Sequence, residues 1–166
     1  TMKRLTFLLL VLMIPGLIIG AEEFGSAGAL NRNQFTLEEM LNYALQDEHL
    51  ALAEYNALMD KFGLTRPYDN IARSEVTHIA TLEELYQNHG LDIPVVDTQG
   101  HIVLPGSAAE AARIGVQAEI NNIDMYEHFL DGELPEDVRE VFLRLKRASE
   151  NHLRAFQRQL SRFQGR

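Results

Sequence analysis

Five acidic and imidazole side chains fall near the middle of four segments whose periodicity predicts helices. They are Glu48, Glu75, His78, Glu119 and His152. A metal site inside a helical bundle takes its ligands from inward faces at one common height. Carboxylates gathered in an apolar layer without compensation would be very costly, and a cation is the simplest compensation. The types and positions of these residues therefore predict a buried metal site.

The pair Glu75 and His78 has the i, i+3 spacing that puts two side chains on one helix face. In a Glu-x-x-His pair the carboxylate can bridge or chelate while the imidazole binds the same ion. The spacing alone is common by chance. The spacing becomes informative together with Glu48 and Glu119, which lie among apolar residues on the predicted inward faces of their own segments.

The fourth segment offers a less complete set of ligands. A second Glu-x-x-His pair would need an acid three residues before His152, but Ser149 stands there. Glu150 points about 160° away from His152 on an ideal helix, so it is a ligand only if the helix is distorted. His152 is predicted as a ligand, with a core histidine bonded to a carboxylate as the alternative. Asn122, at i+3 from Glu119, is a weak ligand or a donor to one.

Other polar residues have weaker claims to a role at the site. Tyr55 lies two turns after Glu48 on the same face. Core packing is the favoured interpretation for it, with a hydrogen-bond donor or a radical-capable phenol as alternatives. Four further residues are predicted to be solvated or surface charges: Asp47, His49, Glu54 and His128.

Apolar residues with helical spacing predict the elements that carry these side chains. The predicted helices A to D cover residues 36–62, 66–89, 107–131 and 135–163. Thr36 with Glu39, and Ser107 with Glu110, have the spacing of capping boxes at helix starts. Gly63 is suited to end helix A in a left-handed conformation.

The lengths of the connections predict the topology. The A–B and C–D loops are short, which predicts two antiparallel hairpins. The B–C connection of about 15 residues reaches roughly 50 Å when extended, longer than the roughly 33 Å of a 22-residue helix. It can therefore cross the whole bundle, and residues 91–104 suggest a short strand pair within it. The prediction is an all-α fold, a ferritin-like four-helix bundle over residues 36–163 with a long crossover between helices B and C.

The N-terminal residues 1–21 predict a signal peptide, with a basic start, an apolar stretch and small residues at its end. A retained membrane anchor is the alternative. Cleavage would leave a linker over 22–35, the bundle, a tail over 164–166 and no stable membrane association. The expected location is exported: extracellular, at the cell surface or periplasmic.

Composition excludes several classes of function. The formal charge of −9 argues against a nucleic-acid partner, since phosphate binding needs clustered Lys and Arg. Cysteine is absent from the sequence, which excludes disulfides, thiolate metal sites and cysteine nucleophiles.

Three stretches of sequence resemble the family called domain of unknown function number 2202, in the ferritin-like superfamily. They cover residues 46–51, 70–78 and 149–156, in order. The resemblance implies a four-helix bundle and a dinuclear carboxylate site, and extends more distantly to rubrerythrin-type di-iron proteins. It assigns metal-ligand positions to the five residues named first. Three carboxylates and two imidazoles then stand where a full di-iron site has four and two.

Two functions are therefore expected. One is an exported metal-binding protein with oxidase or peroxidase-type chemistry, in which oxygen or peroxide reacts at one or two iron ions. The other is a non-enzymatic extracellular bundle with a structural or sequestering metal site, as part of an assembly. Carboxylate-rich ligation suits iron and manganese, and two histidines keep zinc open. Amphipathic helices allow a homo-oligomer without specifying one.

Overall fold

Residues 24–165 are described by the computed structural model, and within them all regular structure is helical. The helices are α1 (Gly25–Ala29), α2 (Leu37–Phe62), α3 (Tyr68–Asn88), α4 (Ala108–Leu130) and α5 (Glu136–Gln164). The predicted all-α class is confirmed. The predicted signal peptide lies outside the described residues. Within these residues, no helix is long and apolar enough to cross a membrane.

The two ends of α2 and the start of α4 lie at the predicted capping residues. Thr36 Oγ1 accepts from the Glu39 N–H at 3.2 Å, while the Glu39 carboxylate accepts from the Thr36 N–H at 2.8 Å. Gly63 ends α2 with φ of 61°, a conformation that costs glycine little. At the start of α4 only half of the predicted box forms, because the Glu110 carboxylate accepts from the N–H of Gly106 instead.

The four long helices pack as two hairpins, α2 with α3 and α4 with α5, and α2 also contacts α4 while α3 contacts α5. The apolar core is divided into two clusters. One contains Leu45, Leu82 and Phe142, and the other contains Tyr55 and Phe156. In each long helix the predicted site residues fall in sequence between the positions that build these two clusters. The folded chain therefore holds a polar layer between two apolar ones.

The connection between α3 and α4 runs alongside α2. At its start the Leu91 N–H donates to the Tyr86 carbonyl at 2.9 Å, and near its end Lys61 Nζ donates to the Pro105 carbonyl at 2.8 Å. Since Lys61 lies in the last turn of α2, the connection ends where α2 ends. The predicted strand pair over 91–104 is wrong: this segment forms no strand with any described residue, and the N–H of Val103 donates to the Glu54 side chain.

Helix α1 occupies part of the segment predicted as a linker. The N–H of Gly25 donates to Gln46 Oε1 at 2.9 Å, and that of Ser26 donates to Asp47 Oδ1 at 2.7 Å. Gly25 has φ of 56°, and a Cβ there would lie 2.7 Å from Asp47 Oδ1. A five-residue helix of Gly, Ser and Ala shows no apolar periodicity, so the linker prediction missed it. Side chains of α2 hold it in place.

Candidate metal centre

All five predicted ligand residues are buried in the polar layer between the two apolar clusters. Their exposed fractions are 2% for Glu48, 2% for Glu75, 8% for His78, 4% for Glu119 and 8% for His152. Each of the four long helices supplies at least one of them. The structure thus brings together the residues that the sequence selected.

The first group of potential ligands contains Glu48, Glu75 and His78. His78 Nδ1 lies 3.0 Å from Glu48 Oε2 and 2.7 Å from Glu75 Oε2. One atom of each residue lies within 4.8 Å of the others. Ligand atoms bound at about 2.0 to 2.2 Å to one ion lie roughly 3 Å from one another, so these three side chains are close enough to share a single ion.

A second group, Glu75, Glu119 and His152, lies beside the first. His152 Nδ1 is 3.2 Å from Glu75 Oε1 and 3.5 Å from Glu119 Oε1. The His78 and His152 rings stack with their centroids 5.8 Å apart. The two imidazoles therefore lie beside each other, and each faces the carboxylates of its own group.

Glu75 belongs to both groups and divides its oxygens between them. Its Oε2 faces His78 and its Oε1 faces His152. A carboxylate that presents one oxygen to each of two adjacent sites has the geometry of a bridging ligand.

Two phenols fix the carboxylates at either side. Tyr55 of α2 donates to Glu119 Oε1 of α4 at 2.8 Å, and Tyr126 of α4 donates to Glu48 Oε1 of α2 at 2.7 Å. In each helix the tyrosine follows the glutamate by seven residues. This reciprocal pairing requires α2 and α4 to run antiparallel. Tyr55 is thus a hydrogen-bond donor rather than only a packing residue.

Tyr126 is a residue of the site that the sequence prediction does not include. The signal that would have identified it is the repeated Glu-to-Tyr spacing, which matches that of Glu48 and Tyr55.

Ser149 takes part in a separate hydrogen-bond network. Its hydroxyl donates to Asn122 Oδ1 at 2.7 Å, and Asn122 Nδ2 donates to Asp47 Oδ2 at 2.5 Å. Asp47 also accepts from the Ser26 N–H, so its prediction as a surface charge is wrong. Among the described residues, Glu150 joins no group of potential metal ligands, and the Asn122 amide bonds to Ser149 and Asp47.

Two of the other predicted polar residues also have partners. Glu54 is half-buried and accepts from the N–H of Val103 at 2.9 Å, so it braces the α3–α4 connection. The His128 ring packs edge-on against Phe35, with centroids 5.5 Å apart. Burial lowers the pKa of the half-buried His49.

The protein environment shifts the pKa values of the site residues strongly. Burial lowers the pKa of His78, but hydrogen bonds and charges from Glu48 and Glu75 outweigh it and raise that pKa to about 10. Burial likewise opposes the effect of Glu119 and Glu75 on His152, whose pKa rises to about 9.

The carboxylates respond in different directions. Burial and the nearby charge of Glu75 raise the pKa of Glu48 to about 7. For Glu75, burial acts to raise the pKa, yet hydrogen bonds with His152 and His78 lower it. Burial raises the pKa of Glu119, against the hydrogen bond from His152. Without metal, protons on the imidazoles therefore compensate the ionised carboxylates.

A small cavity of about 20 Å³ touches this layer and is lined by residues from all four long helices. It is lined in part by Glu48, Glu75, Glu119, Tyr55 and Ser149. A cavity of this size has room for about one water molecule.

Residues 38–165 match the family described as Uncharacterized protein domain (DUF2202). The chain belongs to the DUF2202 family. All five predicted ligands of this DUF2202 domain lie within the matched residues.

A relative is Uncharacterized protein MJ0754 from Methanocaldococcus jannaschii, 29% identical over 133 residues, which cover 71% of each sequence. A solved structure, described as the crystal structure of hypothetical protein MJ0754 from Methanococcus jannaschii DSM 2661, aligns with a TM-score of 0.69 and 27% identity. The alignment covers 80% of this chain and 85% of that one. The structural similarity thus extends over most of both chains.

Proposed function

We propose that this DUF2202 protein is an exported ferritin-like four-helix bundle that binds two metal ions, bridged by Glu75, and uses them in oxidase or peroxidase-type chemistry. The observation that carries the proposal is the division of the two Glu75 oxygens between His78 and His152. Two adjacent groups of ligands that share one carboxylate suit a pair of ions better than one.

The residues present fit such a pair of ions. Three buried carboxylates and two imidazoles are a donor set that suits iron or manganese, while zinc is also compatible. Tyr126 and Tyr55 hold one oxygen each of Glu48 and Glu119. Such hydrogen bonds orient ligands and tune the metal, and their loss typically lowers metal affinity by about 10- to 100-fold.

Redox-active metal would supply the change in oxidation state that the side chains lack. The chain's own contribution would be to hold the ions, exclude bulk water and place protons. Burial raises the pKa values of Tyr55 and Tyr126 well above 10, so both phenols stay protonated and keep donating to the carboxylates. The small cavity beside Glu48 and Glu119 would admit a molecule of about the size of water.

Metal analysis of protein purified without chelators tests the proposal. We expect about two iron or manganese ions per chain, with consumption of oxygen or peroxide in the presence of a reductant. Glu75→Gln should reduce the metal content of both sites, because the amide cannot bridge two cations. Glu84→Gln, on the exposed face of the same helix, is the matched control. An unchanged metal content in Glu75→Gln would falsify the proposal.

A structural or sequestering metal site is the second candidate, and Ser149 favours it. This residue occupies the position of the fourth carboxylate and bonds to Asn122 instead. A site short of one acid can hold an ion without supporting redox turnover. Full metal content with no consumption of oxygen or peroxide would support this alternative, and a size measurement would show whether the protein assembles.

A further inference from the structure

A groove of about 400 Å³ opens between the start of α3 and the C-terminal half of α5. Its rim carries three arginines: Arg66 precedes α3, while Arg158 and Arg162 lie on α5. Ligand pockets in proteins typically have volumes of about 300 to 1,000 Å³, so the groove is large enough for a small molecule.

The charge of this groove is opposite to that of the chain. The formal net charge is −9, yet the residues that line the groove include neither Asp nor Glu. By contrast, the groove between the start of α2 and the α3–α4 connection is lined in part by Glu38, Glu39 and Asp92. The basic groove is therefore a local positive region on an acidic protein.

The charges of the three arginines are not neutralised by an ion pair within the described part of the chain. Among residues 24–165, none of Arg66, Arg158 and Arg162 forms an ion pair. Arg158 and Arg162 are also spaced i, i+4 on one helix, where like charges repel each other. An anion in the groove would remove this repulsion.

The inner end of the groove reaches the polar layer. His152 and Ser74 both line it. The Ser74 hydroxyl lies 3.0 Å from His78 Nε2, while the Nδ1 atoms of both histidines face the carboxylates. The groove therefore touches the His152 imidazole directly, and through Ser74 it reaches the Nε2 side of His78.

We propose that this groove binds a small molecule carrying a carboxylate or phosphate group, with the oxyanion held by Arg66, Arg158 and Arg162. The planar guanidinium group offers paired N–H donors that match both kinds of oxyanion. The partly apolar wall formed by Ile71 and Ala155 would contact the rest of the molecule. That the molecule is a substrate of the metal centre rests on the proposed function, whereas its binding does not.

Calorimetric titration of the metal-free and metal-loaded protein with inorganic phosphate, and separately with succinate, tests this inference. The ionic strength is held constant with sodium chloride. We expect saturable binding of one anion per chain, weakened about 10- to 100-fold in the double variant Arg66→Gln/Arg158→Gln. Arg113→Gln, an exposed arginine on α4, should bind as the unmodified protein does.

The preferred anion identifies the chemistry of the ligand. Binding of phosphate alone, of succinate alone or of both would each support an oxyanion site. Absence of saturable binding for both anions, or an unchanged affinity in the double variant, would overturn it. Ring resonances of His152 in NMR spectra should shift with the same affinity, because this residue lines the groove.

The groove and the metal centre can fail independently. Anion binding by a protein that takes up no metal would remove the proposed function and leave the groove assignment intact. Stoichiometric metal binding without anion binding would leave the proposed function intact and overturn the groove assignment.

Discussion

Tyr126 on α4 donates a hydrogen bond of 2.7 Å to Glu48 on α2, and Tyr55 on α2 donates one of 2.8 Å to Glu119 on α4. Each phenol thus holds the carboxylate of the opposite helix. The pairing locks the relative height of two antiparallel helices at the level where the potential ligands lie. It also leaves Glu48 Oε2 directed toward His78.

Removing either phenol should loosen the ligand that it holds. Tyr126→Phe frees Glu48, which belongs to the group with His78, whereas Tyr55→Phe frees Glu119 in the group with His152. We expect metal affinity to fall by about 10- to 100-fold at the affected site, as is typical when a hydrogen bond to a ligand is lost. Competition with a chromophoric chelator measures both affinities.

Tyr86→Phe is the control for these variants. The Tyr86 hydroxyl is buried and has no hydrogen-bond partner among the described residues. Its removal should leave metal binding unchanged and raise the free energy of unfolding by up to about 1 kcal/mol, since an unsatisfied buried hydroxyl is lost. Equal metal affinities in all three variants would contradict the proposed role of the phenols.

The metal-free protein should lose stability as the pH rises. His78 and His152 have ordinary pKa values of 6.5, but in the folded chain these rise to about 10 and about 9. The stability that they contribute is complete below pH 6.5 and is lost as the pH passes through the folded values. Glu48, raised from 4.5 to about 7, adds a loss of the same sign at lower pH.

Chemical denaturation of the metal-free protein between pH 6 and pH 10 measures this loss, which should be on the order of a few kcal/mol. Metal affinity should change in the opposite direction. Metal must displace the protons from the imidazoles, so affinity rises with pH and uptake releases protons. A metal-free stability that increases from pH 7 to pH 9 would contradict the assigned proton positions.

Much of the site follows from the sequence because its geometry is local. Helical periodicity fixes which face carries Glu75 and His78, and the cap at Thr36 fixes where α2 begins. The heights of residues on different helices then follow from helix lengths and the length of the connection. For that reason all five acidic and imidazole residues of the buried polar layer could be selected without coordinates.

The remaining features depend on contacts between segments far apart in the chain. Asp47 is held by Ser26 and Asn122, neither of which is near it in sequence. Likewise, α1 has no apolar period of its own, and the two apolar runs in 91–104 resemble strands but pair with no strand within residues 24–165. Residue types alone do not show which distant polar groups will meet.

Gly115 lies at a close contact between α4 and α5, beside the apolar cluster that contains Tyr55 and Phe156. A Cβ at this position would lie 2.9 Å from the Phe156 ring, which is itself buried against Tyr55 and Tyr68. Gly115→Ala gains about 1 kcal/mol of helix propensity, but overpacking of a filled core costs about 1 to 3 kcal/mol. We expect a net loss of about 1 kcal/mol in urea denaturation. In Gly106→Ala, where the contact is 3.5 Å, no such loss should occur.

Ser149→Glu tests whether the site is one acid short of a symmetric centre. The new carboxylate would stand three residues before His152 and next to the cavity lined by Glu48, Glu75 and Glu119. In the metal-free protein it adds an uncompensated buried acid, so the free energy of unfolding should fall by about 2 to 3 kcal/mol. Bound metal should restore this loss, because the added oxygens become ligands. Thermal unfolding with and without metal measures both effects.

The matched control is Ser149→Ala, which breaks the bond to Asn122 without adding a ligand. It should be destabilised by about 1 kcal/mol with or without metal. If Ser149→Glu were equally destabilised in both states, the carboxylate would not reach the ions, and the centre would not accept a fourth acid from α5. If metal rescues only the glutamate variant, the natural serine is what limits the ligand set. In that case the variant should also consume oxygen or peroxide faster than the unmodified protein under the same metal loading.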